Sequence, residues 1–193
     1  PFTYGFTETG ELVRPDDEQM RALAKDFGVT TLLHLSTLTE QGSFSAQSAG
    51  AVLENETARA ALIRTTVREM RDGGFVGIDV DFEFLGKALA ASYAAFLQEL
   101  SQAVHTAGGY LMAAVAPKTS DTQPGVLYEG HDYAAIGKAV DAVLLMTYEW
   151  GYTYGPPMAV APIDAVERVV RYAVSRIEPG KLLLGFPNYA YDW

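Results

Sequence analysis

Apolar residues along this chain fall into short continuous runs, separated by longer stretches in which they recur every three or four positions. The runs are Pro1–Phe6, Thr30–Leu38, Phe75–Phe84, Tyr110–Ala116, Ala142–Tyr148 and Leu182–Phe186. Continuous apolar runs of this length read as strands covered on both faces, as in a parallel sheet. Between them the period shifts to that of a helix. Met20, Leu23, Ala24 and Phe27 share one face of a helix expected over Asp16–Phe27, stopped by Gly28. Asn55 is placed to cap a second helix, Glu56–Arg71. A long helix carries Leu89, Tyr93, Phe96, Leu97, Leu100 and Val104 and ends at Gly108-Gly109. A short helix is expected near Tyr133–Val140, and Pro162 opens another that runs to about Arg176. The segment between Leu38 and Asn55, rich in Gly and Ser, reads as a loop.

Six strands alternating with five helices imply an α/β fold with helices packed on the sheet. An open dinucleotide-type sheet should carry a Gly-rich turn after its first strand, and none is present. A (β/α)8 TIM barrel needs eight strands and usually about 250 residues. The pattern therefore predicts a partial barrel of about six βα units, one domain over residues 1–193.

Composition narrows the chemistry. Fourteen Lys and Arg against 24 Asp and Glu leave a net charge of −10, which argues against nucleic acid or an anionic membrane as partner. Cysteine is absent, so disulfides, thiolate metal sites and cysteine nucleophiles are excluded together. No apolar run approaches the roughly 18 residues of a membrane helix. The chain opens at Pro1 rather than Met, as a cropped or processed chain would.

The informative strand is Gly77-Ile78-Asp79-Val80-Asp81-Phe82-Glu83-Phe84. Side chains alternate along a strand, so Ile78, Val80, Phe82 and Phe84 share one face and Asp79, Asp81 and Glu83 the other. Barrel interiors are normally filled by branched apolar residues. Three carboxylates there are desolvated and repel one another, so at least one must hold its proton toward neutral pH. That is the property of a general acid. A solvent-facing polar strand and a site for a hard cation are the alternatives. The histidines His34, His105 and His131 show no metal-ligand spacing, and nothing marks Lys118 as a Schiff-base lysine.

The segment GFVGIDVDFEF resembles the signature of glycoside hydrolase family 18, the chitinase-like family, whose pattern is Asp-x-x-Asp-x-Asp-x-Glu. Asp79, Asp81 and Glu83 match its last three acidic positions, while Val76 stands at the first. MTYEWGYTYGPPMAVAPID, LLLGFPNYAYDW and PFTYGFTETGEL are similar to the branch of spore-cortex peptidoglycan hydrolases, often fused to LysM modules. The resemblance implies family strands two to seven and a retaining glycosidase acting on polymers of β-linked N-acetylglucosamine, peptidoglycan or chitin. Neither cofactor nor metal is implied. It makes Glu83 the general acid, Asp81 the residue that orients the substrate's 2-acetamido group, Asp79 its hydrogen-bond partner and Tyr148 a donor to the acetamido carbonyl. Met146 and Glu149 would line the same subsite, and Tyr4, Trp150, Asn188 and Tyr189 would border the sugar cleft, with Trp193, Tyr152, Tyr154 and Tyr191 near it. An extracellular, cell-wall or spore location and LysM modules elsewhere in the full-length chain follow from the same likeness. A non-catalytic sugar-binding member of the family and a metal-dependent hydrolase are the rival functions.

Overall fold

The computed structural model describes residues 1–38 and 44–192. A hairpin of two-residue strands, β1 (Gly5–Phe6) with β2 (Leu12–Val13), precedes helix α1 (Glu18–Asp26). Then come β3 (Leu32–Ser36), α2 (Ala46–Leu53), α3 (Glu56–Asp72), β4 (Gly77–Asp81), α4 (Ala90–Thr106) and β5 (Tyr110–Val115). The chain continues through α5 (Val126–Glu129), α6 (Tyr133–Ala139), β6 (Ala142–Leu145), α7 (Ile163–Ala173) and β7 (Leu182–Leu184). Strands β3 to β7 form one parallel sheet in sequence order, each joined to the next through helix.

Register divides the sheet into two faces. Leu33, Leu35, Ile78, Val80, Leu111, Ala113, Val143 and Leu145 point outward and are fully buried beneath the helices. Tyr93, Phe96, Leu97, Leu100 and Val104 on α4 supply the other side of that core. Each Val, Leu, Ile or Phe among them, removed from water, contributes about 1.5–3 kcal/mol. The opposite face carries His34 beside Asp79, then Ser36 beside Asp81. A polar interior is thus held by an apolar exterior.

Three expectations change. The run Pro1–Phe6 does not form a sixth full strand of the parallel sheet: among the described residues only Tyr4 joins that sheet, through a single parallel bridge to Leu35, while Gly5 and Phe6 pair with β2. From Gly5 the chain turns into the hairpin, whose Gly10 has φ +82 and presses on α3, where an added Cβ would stand 2.0 Å from the Ala58 carbonyl oxygen. The segment expected to be a loop before Asn55 contains α2, capped by the Ser45 hydroxyl accepting from the Ser48 N–H at 3.1 Å. Ala49, Val52 and Leu53 bury it; the small residues between them blur the helical period. Residues 39–43 of that loop lie outside the described residues. The apolar face of α1 is exposed at Met20, Leu23 and Phe27, and α1 has no buried residue. Among the described residues the sheet does not close on itself.

Candidate active site

The acidic motif straddles the C-terminal end of β4. Asp79 and Asp81 point to the inner face within the strand, and Glu83 follows two residues beyond the strand's last residue. Between the two acids of the rim, Phe82 turns outward and is fully buried, stacked on Tyr93 and Phe96 with ring centroids 5.5 Å away in each case. The Phe82 carbonyl accepts a hydrogen bond from His131 Nε2 at 2.9 Å. The other nitrogen of that ring, Nδ1, accepts from the Ala116 N–H at 2.9 Å, which fixes the tautomer and ties the end of β5 to the end of β4. Burial pushes the His131 pKa down to about 4, so the ring is neutral at physiological pH. The peptide joining Asp81 to Glu83 is therefore anchored through Phe82 by packing and by a neutral imidazole.

Burial also governs the carboxyls, with the opposite sign. Desolvation raises Asp81 to about 6; His34 opposes that shift and Asp79 adds to it. Glu83 is raised to about 7, first by burial and then by repulsion from Asp81 and Glu149. A glutamic acid half-protonated near neutrality can deliver a proton to a leaving oxygen. Tyr148, raised to about 12 by burial and then by Asp81 and Glu83, remains a hydrogen-bond donor throughout the working range. Its ring rests over Gly185, where an added Cβ would lie 2.5 Å from Tyr148 Cε1. Among the described residues, the two non-glycine residues with positive φ, Phe84 at 56° and Glu149 at 64°, flank this group, a clustering typical of functional rims.

Most of the residues selected by sequence meet in one cleft of about 620 Å³, lined by Asp81, Glu83, Met146, Tyr148, Glu149 and Trp150 together with Tyr152 and four further aromatic residues. Asp79 lies just behind, next to Asp81 on the same face. Tyr189 reaches the rim, its hydroxyl donating to Glu149 Oε1 at 3.1 Å, and Tyr191 donates to the same oxygen at 3.2 Å. Tyr4 is a correction. Because it pairs with Leu35 rather than with a residue of the inner face, its ring enters the outer core and its hydroxyl donates to Asp17 Oδ2 at 2.6 Å. Asn188 is exposed beyond β7 and does not line the cleft. Trp193 lies outside the described residues.

Two residues of the site were not anticipated. His34 Nδ1 stands 2.9 Å from Asp79 Oδ2, and Phe2 stacks on the imidazole with centroids 4.8 Å apart. Strand parity in TTLLHLSTL already sets His34 and Ser36 on one face; which strand they face emerges only from the register.

Comparison with known proteins gives a consistent set of relatives. The family model described as Glycosyl hydrolases family 18 matches residues 3–193. The cortical fragment-lytic enzyme of Bacillus subtilis (strain 168) is 40% identical over 192 residues, covering 100% of this chain and 44% of that protein. Among solved structures, the spore cortex-lytic enzyme SleL of Bacillus megaterium QM B1551 superposes with a TM-score of 0.89 at 36% identity, over 96% of this chain and 42% of that one. A class V chitinase from Pseudomonas fluorescens Pf-5 also gives 0.89, at 31% identity, over 97% of this chain and 60% of that one. This chain thus spans less than half the length of the first two relatives. With those structures alongside, the parallel sheet and its helices are a partial (β/α)8 barrel.

Proposed function

The chain belongs to glycoside hydrolase family 18, and from that premise we propose that it is the catalytic unit of a retaining glycosidase that cleaves N-acetylglucosamine-containing peptidoglycan of the cell wall or spore cortex. The observation that carries the reading is Glu83: a carboxyl raised to about 7 in a cleft it shares with Asp81 and Tyr148. Glu83 protonates the glycosidic oxygen as the bond to the anomeric carbon breaks. The acetamido oxygen of the sugar on the non-reducing side attacks that carbon, giving a cyclic oxazolinium ion that water then opens; family 18 uses this substrate-assisted route in place of a carboxylate nucleophile. Asp81 faces the positive charge on that ring, Tyr148 donates to the acetamido oxygen, and Asp79 supports Asp81. Trp150 and Tyr152 offer flat apolar faces to pyranose rings, and Met146 and Glu149 close the subsite.

Likeness to the cortical fragment-lytic enzyme and to SleL favours peptidoglycan and a spore-associated location, where LysM modules elsewhere in a longer chain would hold the enzyme on its polymer. Likeness to a chitinase makes chitin the second substrate to test. Retention of Glu83 favours an enzyme over a sugar-binding relative. The test is digestion of purified spore-cortex peptidoglycan and of chitin by the full-length protein, with mass spectrometry of the new reducing ends. N-acetylglucosamine at those ends is expected. Muramic acid there, or no product from either polymer, contradicts the reading.

A further inference from the structure

The inner face of β3 puts an imidazole against the acidic strand. His34 Nδ1 is 2.9 Å from Asp79 Oδ2, and Nε2 of the same ring is 3.7 Å from Asp81 Oδ2. One ring therefore spans both carboxylates, whose backbones are held opposite β3 by the register His34–Asp79 and Ser36–Asp81. Three buried atoms at this junction, His34 Nε2, Asp79 Oδ1 and Asp81 Oδ1, have no hydrogen-bond partner among the described residues. A histidine kept only for packing is normally satisfied at both nitrogens, as His131 is. His34 is satisfied at one and aims the other at Asp81.

Charge makes the arrangement consequential. The groups around the ring are Asp79 and Asp81 on β4, the uncharged Phe2 stacked on it, and Thr3, whose hydroxyl bonds the His34 carbonyl and Ser36. Beyond Asp81 stand Glu83, Tyr148 and Glu149, and Tyr93 lies behind the sheet on α4. Among the described residues that line the cleft there is no lysine or arginine. Lys118, next to the lining residue Pro117, turns its ammonium to the His131 carbonyl at 2.9 Å. Among the described residues, His34 is thus the group in contact with the Asp79 and Asp81 carboxylates that can carry positive charge. Val76, at the position where the family pattern has its first aspartate, is exposed before β4 begins and cannot contribute.

We propose that His34 is a positioning residue for the acidic pair: through Nδ1 it fixes the Asp79 carboxylate, and through charge on its ring it keeps Asp81 anionic as positive charge develops on the sugar. The assignment rests on the glycosidase reading and adds to it where the site's negative charge is balanced. A second proton on the ring resides on Nε2, facing Asp81, so the pair need not hold that proton between two carboxylates. Loss of the imidazole leaves burial and Asp79 to act on Asp81 unopposed, and both favour its protonated form.

The test is the pH profile of kcat/KM for the full-length protein and its His34→Gln variant, with N-acetylated glycan as substrate. Glutamine can still donate to Asp79 but cannot take a charge. The acid limb should move upward by at least about one pH unit, the least expected when an opposite charge is removed from beside a carboxylate, which reads as a roughly tenfold loss below the limb and little change above it. A profile lowered uniformly with its limb in place overturns the proposal and leaves the glycosidase reading standing. A wild-type protein that hydrolyses no acetamido glycan overturns both. Should the variant fail to fold, 15N NMR of the wild-type histidines decides: neutral His34 must carry its proton on Nδ1, and a proton on Nε2 instead contradicts the geometry.

Discussion

Two buried ionisable sites meet at Phe82 and are handled in opposite ways. On one side of its peptide, His131 is fully buried, neutral and bonded at both ring nitrogens. On the other, Asp81 and Glu83 are driven toward their protonated forms, and Asp81 Oδ1 is buried without a partner among the described residues. The satisfied site holds the backbone of the motif; the unsatisfied one retains bonding capacity for a substrate. A folded protein tolerates unpaired buried carboxyls where they are used, at a cost in stability made up elsewhere. In this molecule the compensation is adjacent, in the Phe82–Tyr93–Phe96 stack and the His131 clamp.

Substitutions should separate the two sites. Glu83→Gln preserves shape and removes the proton, so turnover should fall by at least ~10²–10⁴-fold while glycan binding survives. Steady-state hydrolysis alongside a binding isotherm checks this. Equal loss of both would place Glu83 among structural residues. His131→Ala should do the converse, removing two hydrogen bonds and a buried ring for about 2–4 kcal/mol of stability. Denaturant unfolding measures it, and a stable variant with abolished turnover would erase the distinction drawn between the sites.

The same contrast has a pH signature. Glu83 has its pKa raised in the fold, so the native state holds a proton between about pH 4.5 and 7 that the unfolded chain has released. Its stabilising effect is complete below that window and is lost as pH rises through about 7. His131 has its pKa lowered, so its contribution is complete above pH 6.5 and is lost as pH falls toward about 4. The stability advantage of Glu83→Gln over wild type should therefore grow from pH 4.5 to 8, reaching roughly 1–3 kcal/mol. Unfolding curves across that range read it directly, and an advantage independent of pH would show that the Glu83 carboxyl is not strained by burial.

The narrowest effect, confined to stability, belongs to Tyr4. Tyr4→Phe removes a hydrogen bond to a carboxylate on the outer layer and should lower stability by about 1.5–3 kcal/mol without altering kcat/KM. A change in sugar affinity would return Tyr4 to the cleft.

How far these features could be read in advance depended on the range of the information each requires. Strand alternation within ten residues sufficed to put Asp79, Asp81 and Glu83 together, and Met146 with Tyr148. Continuous apolar runs located β3 to β7 because both faces of most of those strands are covered. Residues whose role depends on a partner strand were beyond that reach. His34 meets Asp79 across 45 positions, and only the pairing register brings them side by side. Tyr4 went astray for the same reason, since one bridge to Leu35 decides which layer it enters. Helix α2 was hidden by its own composition, Ala-Gln-Ser-Ala-Gly-Ala, whose small residues bury a helix without marking a period.

The central claim, that the substrate supplies its own nucleophile while Glu83 supplies the proton, is tested most directly with one polymer in two forms. Fully N-acetylated glycan and the same glycan de-N-acetylated are offered to the full-length protein, and cleavage is mapped by mass spectrometry. Cleavage should occur only where the sugar on the non-reducing side of the bond keeps its acetamido group. Equal cleavage next to a free amine, or a covalent glycosyl adduct on Asp79, Asp81 or Glu83, would contradict the mechanism.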